Sequence, residues 1–344
     1  TFSGLNKLVG WDKAGNPIFK QFLHVPSESS SLSNNRIYHI YCDKKNNLWI
    51  GTEGGGLNLL TEKSRNTNNN FIHFLHKSEI PNSISNNIIY SINEDSNGNI
   101  YVGTDEGFNI ISMNNEDTVI HSYMTTQENK DRLQENRVFS IVPDDPDMND
   151  KMWIGTYGSG LNLFDPLKET FIVYKKNSYD PQSLSIDYIY SLYASEDGML
   201  WLATRDTGID WINPENQRFI HLKSIQNNPN SLSNSVVKSI VEDRHGKFWF
   251  GTFGGGLNMY DPNSKSFTVY THNPSNPNSI SSNIVESLCF DYRGRLWVGT
   301  SGGLCLYDEK SKQFTRYVHD PTDPNSLPND YIWYITASKK KDGL

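Results

Sequence analysis

Seven residues recur at one position of a repeated apolar run, roughly fifty residues apart, and they differ in kind: Tyr38, Tyr90, Phe139, Tyr190, Lys238, Glu286 and Trp333. Their neighbours stay aliphatic or small, as in IYSI around Tyr90 and VKSI around Lys238. A slot that accepts an aromatic ring, an ammonium and a carboxylate is not a uniform core slot. Flat aromatic faces suit the C–H surfaces of sugars, while Lys238 and Glu286 offer a donor and an acceptor. Just upstream stand Arg36, Arg137, Tyr188 and Tyr331, and the two guanidinium groups would serve an anionic glycan. The chemistry expected of this set is recognition of an oligosaccharide or another small ligand. The alternative is structural: the aromatics pack between strands, and Lys238 pairs with Glu286.

The elements that would hold these residues are short strands. The stretch NSLSNSVVKSIVEDRHGKFWFGTFGGGLNMYDPNSKSFTVYTHNP, residues 230–274, holds four runs of β-branched, aromatic and aliphatic residues parted by turn formers, which predicts a four-stranded antiparallel meander. Its threonine in FGT returns as Thr52, Thr104, Thr156, Thr204 and Thr300. A strand-built unit of roughly fifty residues is a propeller blade, so the predicted fold is an all-β, seven-bladed β-propeller in one domain over 1–344. Lead-ins resembling NSLS fall near Ser31, Asn82, Asp131, Gln182, Asn230 and Asn278, giving six full blades over 31–324. Residues 1–30 match the outer half of a blade and 325–344 its innermost strand. The two ends are expected to pair and close the ring, with one strand of that blade lacking from both, as in a piece cut from a longer protein.

Several patterns that imitate chemistry read better as structure. The DxxG segments at Asp95, Asp243 and Asp291 are hairpin turns rather than calcium loops, because the sister copies place Arg and His where ligands would stand. Trp49, Trp153, Trp201, Trp249 and Trp297, with Tyr101 in their line, fill the space between blades. The clusters Gly54–Gly56 and Gly254–Gly256 lack the helix and GK[ST] ending of a phosphate loop. His24, His76, His272 and His319 stand one to a blade, which fits a packing or turn role and no shared metal. The three cysteines, Cys42, Cys289 and Cys305, read as buried thiols, so neither metal nor cofactor is expected. A net charge of −8 over 344 residues argues against nucleic acid as a partner, and no apolar run is long enough for a membrane helix.

The unit I-x-S-I-x-E-D-x-x-G-x-x-W-x-G-T-x-x-G-L-N, as in Val237 to Asn258, resembles the two-component regulator propeller repeat. That repeat belongs to sensor regions of bacterial hybrid histidine kinases, notably those tied to polysaccharide use in gut Bacteroides. The resemblance implies a periplasmic ligand-sensing module without catalysis of its own, with a neighbouring propeller and membrane-coupled domains as partners. A homodimer is a further partner class that this architecture allows. Relatives join the same repeats to diguanylate cyclases, so the output domain does not follow from the propeller. The fourth unit departs from the pattern, reading LATRDTGIDWI with Arg205 and Asp206 in its loop, where a local ion pair or surface drift is expected before a ligand contact.

Two other readings stand beside sensing. Propeller lyases of the streptogramin-inactivating kind look similar at the W-x-T strand, and such a site needs His and Glu near a metal, for which His39 and Glu286 are the candidates. A protein-interaction or dimerisation scaffold is the third. Nucleophile elbows, HExxH helices and Walker loops are all lacking in the sequence.

Overall fold

The computed structural model describes residues 2–13, 15–113, 117–124, 133, 137–144, 150–195, 197–213 and 218–337. The lead-in expected near Asp131 and the tail 338–344 lie outside the described residues. A two-stranded sheet comes first, β1 (Leu5–Trp11) with β2 (Pro17–Phe22). Six four-stranded antiparallel meanders follow. They are β3 (Ile37–Cys42), β4 (Leu48–Thr52), β5 (Leu57–Leu60), β6 (Ile72–Phe74); β7 (Ile89–Glu94), β8 (Ile100–Thr104), β9 (Gly107–Met113), β10 (Thr118–Tyr123); and β11 (Val138–Pro143), β12 (Met152–Thr156), β13 (Leu161–Asp165), β14 (Thr170–Tyr174). The last three are β15 (Ile189–Ala194), β16 (Leu200–Thr204), β17 (Ile209–Asn213), β18 (Arg218–Leu222); β19 (Val237–Glu242), β20 (Phe248–Thr252), β21 (Leu257–Asp261), β22 (Ser266–Tyr270); and β23 (Val285–Phe290), β24 (Leu296–Thr300), β25 (Gly303–Asp308), β26 (Gln313–Tyr317). One short helix, α1 (Glu62–Arg65), interrupts the first meander.

The chain forms two compact units, Thr1–Ile37 with Leu222–Leu344, and Tyr38–His221. Among the described residues the predicted four-stranded blade is found six times. The expected seventh is a two-stranded sheet, and Tyr331–Ala337 forms no ladder. A ladder needs a neighbouring edge, and among the described residues no W-x-G-T strand lies beside β1 to supply it. The two ends of the chain nevertheless pack together within their unit. Leu8 shares a core with Leu327 and Ile332, and the Phe19 N–H donates to the Asn325 carbonyl at 3.2 Å.

Each blade is assembled by the same few residues. In β4, Gly51 lies against the next blade, and a Cβ there would come within 2.7 Å of Ile89 Cγ2. Thr52 Oγ1 donates to the Gly56 carbonyl at 2.8 Å and accepts from the Gly55 N–H at 3.1 Å, which closes the β4–β5 turn. Gly56 sits at φ +70°, where its added Cβ would meet the Phe74 carbonyl at 2.4 Å, so the glycine cluster serves the hairpin. The turn aspartates also hold the tryptophans: Asp43, Asp243 and Asp291 accept from the indoles of Trp49, Trp249 and Trp297 at 3.0–3.1 Å. Trp249 then packs among Leu288, Leu296 and Tyr307 of the following blade, the between-blade filling expected of it.

The recurrent serine links blades directly. Ser91, Ser140 and Ser287 accept the backbone N–H groups of Ile141, Leu192 and Ile335, one blade on, at 2.9–3.0 Å. Cys42 and Cys305 are buried and Cys289 half-buried, each in a strand and unlinked; burial pushes the Cys289 thiol up to about 11.

Candidate functional site

The variable position is a β-bulge. The β7–β8 register shifts between Ile89 and Ser91, and the same shift falls between Val138 and Ser140, Ile189 and Ser191, Val237 and Ser239, and Val285 and Ser287. Tyr90, Phe139, Tyr190, Lys238 and Glu286 are therefore the extra residues of their strands. A bulged residue leaves the ladder and its side chain is re-aimed, so the position tolerates exchange that its paired neighbours do not. Glu286 is 8% exposed. Tyr38, Tyr90, Phe139, Tyr190, Lys238 and Trp333 are half-buried, each keeping part of its surface outside.

In the unit Tyr38–His221 the predicted aromatics form a continuous row. Tyr38 stacks on Tyr90 with centroids 5.6 Å apart and planes 15° from parallel, Tyr90 meets Phe139 at 4.6 Å, and Phe139 meets Tyr190 edge-on at 5.7 Å. A second row runs beside it, built from the residue that follows each recurrent threonine: Asp105, Tyr157 and Arg205. Backbone bonds from Asp105, Tyr157 and Arg205 to the carbonyls of Ile88, Arg137 and Tyr188 hold that row against the lead-in residues. Asp105 accepts the Tyr90 hydroxyl at 3.0 Å and the Arg137 guanidinium at 2.6 Å. Tyr157 meets Phe139 at 5.4 Å and Tyr188 at 4.9 Å. Arg137 lies over Tyr157, and Arg205 lies over both Tyr157 and Tyr188 while donating to the Tyr157 hydroxyl at 2.5 Å. Burial, then the Asp105 charge, pushes the Tyr90 hydroxyl well above its ordinary value.

In the unit that holds both ends of the chain, the set is differently finished. Phe2, the residue after Thr1, touches Tyr331 at 5.6 Å and Trp333 at 5.7 Å, and the Arg36 guanidinium lies 4.9 Å over its ring. Tyr331 also meets Trp333 at 5.1 Å and donates its hydroxyl to Glu286 at 2.7 Å. Burial, with Glu286 behind it, pushes the Tyr331 hydroxyl upward. Lys238 lies 5.7 Å over Phe253, which is again the residue after a recurrent threonine.

Of the predicted site residues, six lie in one unit, counting Phe139, and five in the other. Asp105, Tyr157, Phe253 and Phe2 were missed, although the signal that singled out Tyr90 was present for them. The position after threonine reads Phe2, Glu53, Asp105, Tyr157, Arg205, Phe253 and Ser301, copies that disagree as widely. Arg205 does form the expected local pair with Asp206, at 3.4 Å, and stacks on tyrosines besides. The runner-up catalytic residue has unfavourable chemistry: burial draws His39 down to about 3, far below what a general base at neutral pH needs. Among the described residues no three His, Cys, Asp or Glu side chains cluster as metal ligands.

The family model for the two component regulator propeller matches four times, at residues 31–54, 83–106, 231–254 and 279–302. The chain carries two-component regulator propeller repeats. No curated protein gives a significant match. Among solved structures, the chain is similar to an extracellular domain assigned to the hybrid two component system BT3049 of B. thetaiotaomicron, with TM-score 0.72 and 23% identity over 91% of this chain and 39% of that one. A second, assigned to the hybrid two component system BT4673 of the same organism, gives TM-score 0.66 and 22% identity over 93% and 37%. Virginiamycin B lyase from Staphylococcus aureus gives TM-score 0.61 and 12% identity over 86% and 87%. The repeat chain thus spans less than half the length of the two-component domains, and at these identities the likeness is one of fold.

Proposed function

We propose that this repeat chain is a ligand-recognising part of the extracellular or periplasmic sensor region of a hybrid two-component signalling protein, and that it binds an oligosaccharide on its bulged aromatic rows. The observation that carries the reading is the contiguity of Tyr38, Tyr90, Phe139 and Tyr190, half-buried rings on successive blades, the last three outside the strand ladders. Apolar sugar faces pack on such rings, and hydroxyl groups find the polar edge supplied by Asp105, Arg137 and Arg205. A neutral sugar suits this unit better than an anionic one, because Arg137 already carries Asp105 and Arg205 carries Asp206. The sensing role is supported by the repeat family and by the two-component domains that share the fold. Coupling to kinase and membrane parts belongs to the full-length protein, and a homodimer would be one route by which binding is passed on.

The test is a thermal-shift screen with neutral and charged oligosaccharides, since a ligand of the native state raises its apparent stability. Tyr190→Ala and Trp333→Ala should each weaken the response to the selected glycan about five- to thirtyfold, as loss of a stacking face costs roughly 1–2 kcal/mol. If neither change alters binding of any glycan in a broad panel, the site assignment fails while the fold stands. Turnover of a cyclic lactone or uronic acid polymer, dependent on magnesium and lost in His39→Ala, would instead favour the lyase reading.

A further inference from the structure

The loop Ser224–Val236, leading into the fifth meander, lacks two ties that hold its sister loops. In four of those loops a histidine closes the loop from below: Nδ1 of His24, His76, His272 and His319 lies 2.6–2.8 Å from the carbonyl oxygens of Leu32, Ile84, Ile280 and Leu327. A carbonyl only accepts, so each ring carries its proton on Nδ1 and donates. The same histidines donate their backbone N–H to Asn35, Asn87, Asn283 and Asp330 at 2.6–2.7 Å. From the outer strand comes a second tie. Arg316 Nε donates to the Ser279 carbonyl at 2.7 Å and its Nη2 to the Asn276 carbonyl at 2.8 Å, while His221 Nε2 reaches the Pro181 carbonyl at 3.1 Å.

The fifth loop has the backbone of its sisters without these donors. Its Ile225 N–H donates to Ser231 Oγ at 3.1 Å, as Asn273 does to Ser279 Oγ at 2.8 Å, which fixes the alignment. Ser224 then stands where the histidine would be, Ser235 where Asn or Asp would be, and Val269 where Arg316 would be. Ser231 Oγ lies 3.5 Å from the Leu232 carbonyl, but Ser279 keeps the same contact at 3.3 Å beside its histidine, so it is no replacement. The loop has not collapsed onto the gap. Asn230 Oδ1 accepts the Phe267 N–H at 2.7 Å and Asn258 Oδ1 accepts the Ser233 N–H at 2.9 Å, which props both ends. What remains is a depression of about 650 Å³ whose lining includes Ser224, Ile225, Pro229, Ser231, Leu232 and Val269. Ile225 and Val269 form apolar walls that are 56% and 36% exposed.

We infer that this depression binds a small molecule carrying a planar nitrogen donor of the imidazole or guanidinium kind. The Leu232 carbonyl takes an imidazole N–H as its four sisters do, the carbonyls around Ser231 take a guanidinium as those around Ser279 do, and Ile225 and Val269 cover the flat faces. The site is separate from the sugar row and does not depend on it.

The test is a methyl NMR titration of the chain with imidazole and, separately, methylguanidinium. Saturable shifts are expected at the methyls of Ile225, Leu232 and Val269, with dissociation constants on the order of 1–10 mM for such small probes. Ser224→His should abolish the imidazole response and keep that to methylguanidinium, and Val269→Arg should do the reverse. Absence of a saturable shift at these methyls while the wild-type spectrum stays folded overturns the inference, and so do responses that survive both substitutions. Where a variant fails to fold, the wild-type titration decides alone.

Discussion

The side chains at the variable position of the innermost strand are finished in opposite ways in the two units. In the unit Tyr38–His221, rings lie against rings and the polar groups neutralise one another at the edge, Arg137 on Asp105 and Arg205 on Asp206. In the other unit a nearly buried carboxylate, Glu286, lies behind Tyr331, and cations lie over phenylalanines, Arg36 on Phe2 and Lys238 on Phe253. The difference teaches that the scaffold constrains the paired residues of β7, β11, β15, β19 and β23 and leaves the bulge free. One backbone then presents an apolar floor in one unit and a charged one in the other.

The largest expected effect tests what lies beneath the Tyr38 end of the row. His39 occupies the slot that holds the blade-linking serines Ser91 and Ser140. Burial draws its imidazole down to about 3, against roughly 6.5 in the unfolded chain. The unfolded chain binds the extra proton between those values. Stability from this group is therefore complete above about pH 6.5 and is lost as pH falls toward 3, by up to about 5 kcal/mol. His39→Ser should flatten the fall in urea midpoint between neutral and acid pH. An unchanged slope would show that the wild-type ring is solvated, and the floor of that row with it.

A second pair of variants breaks the seat of each row in turn. A Cβ at Gly103 would lie 2.8 Å from Val138 Cγ1, and one at Gly251 would lie 2.4 Å from Ser239 Oγ and 2.8 Å from Val285 Cγ1. Gly103→Val and Gly251→Val should each cost about 1–3 kcal/mol by overpacking between blades, while Gly10→Ala, with open space at its Cβ, should be close to neutral. Chemical unfolding measures all three, and equal effects at Gly10 and Gly103 would contradict the between-blade contact. Asp105→Asn is smaller. It removes a pair whose members are 43% and 25% exposed, so about 1 kcal/mol is expected, and the Tyr90 hydroxyl should titrate nearer its ordinary value by ultraviolet absorbance.

Much of this was legible because the chain repeats. Strand runs, DxxG turns and the W-x-G-T segment are local patterns, and their recurrence, in full or with single exchanges, reveals which positions the fold demands. Comparing copies also located Tyr90 and its counterparts, since a residue free of the ladder's pairing is the one that drifts. The bulge itself was not legible, because it is a mismatch of register between two strands and neither strand's sequence carries it. Asp105 and Tyr157 escaped for a related reason: their contacts with Tyr90 and Phe139 arise from how the chain leaves β8 and β12, where turn geometry brings distant positions together. The two-stranded first sheet was half legible. The match of TFSGLNKL and IFKQFLH to the repeat indicates β1 and β2, but a run such as 331–337 becomes a strand only beside a partner, whatever its own residues.

The smallest expected effect sharpens the comparison most, because it asks whether the charge of Glu286 matters or only its oxygen. Glu286 is 8% exposed and accepts the Tyr331 hydroxyl at 2.7 Å. Gln at this position keeps an acceptor for the phenol and removes the negative charge. Stability should change by less than about 1 kcal/mol, since the hydrogen bond survives in neutral form. The Tyr331 hydroxyl, raised by burial and by the hydrogen bond and charge of Glu286, should move down toward its ordinary value and leave only the burial contribution. Glycan binding on the Trp333 face should persist if stacking carries it. Loss of binding in Glu286→Gln, with Tyr331 and Trp333 in place, would mean instead that the carboxylate itself holds a sugar hydroxyl, and that this unit reads polar groups where the other reads ring faces.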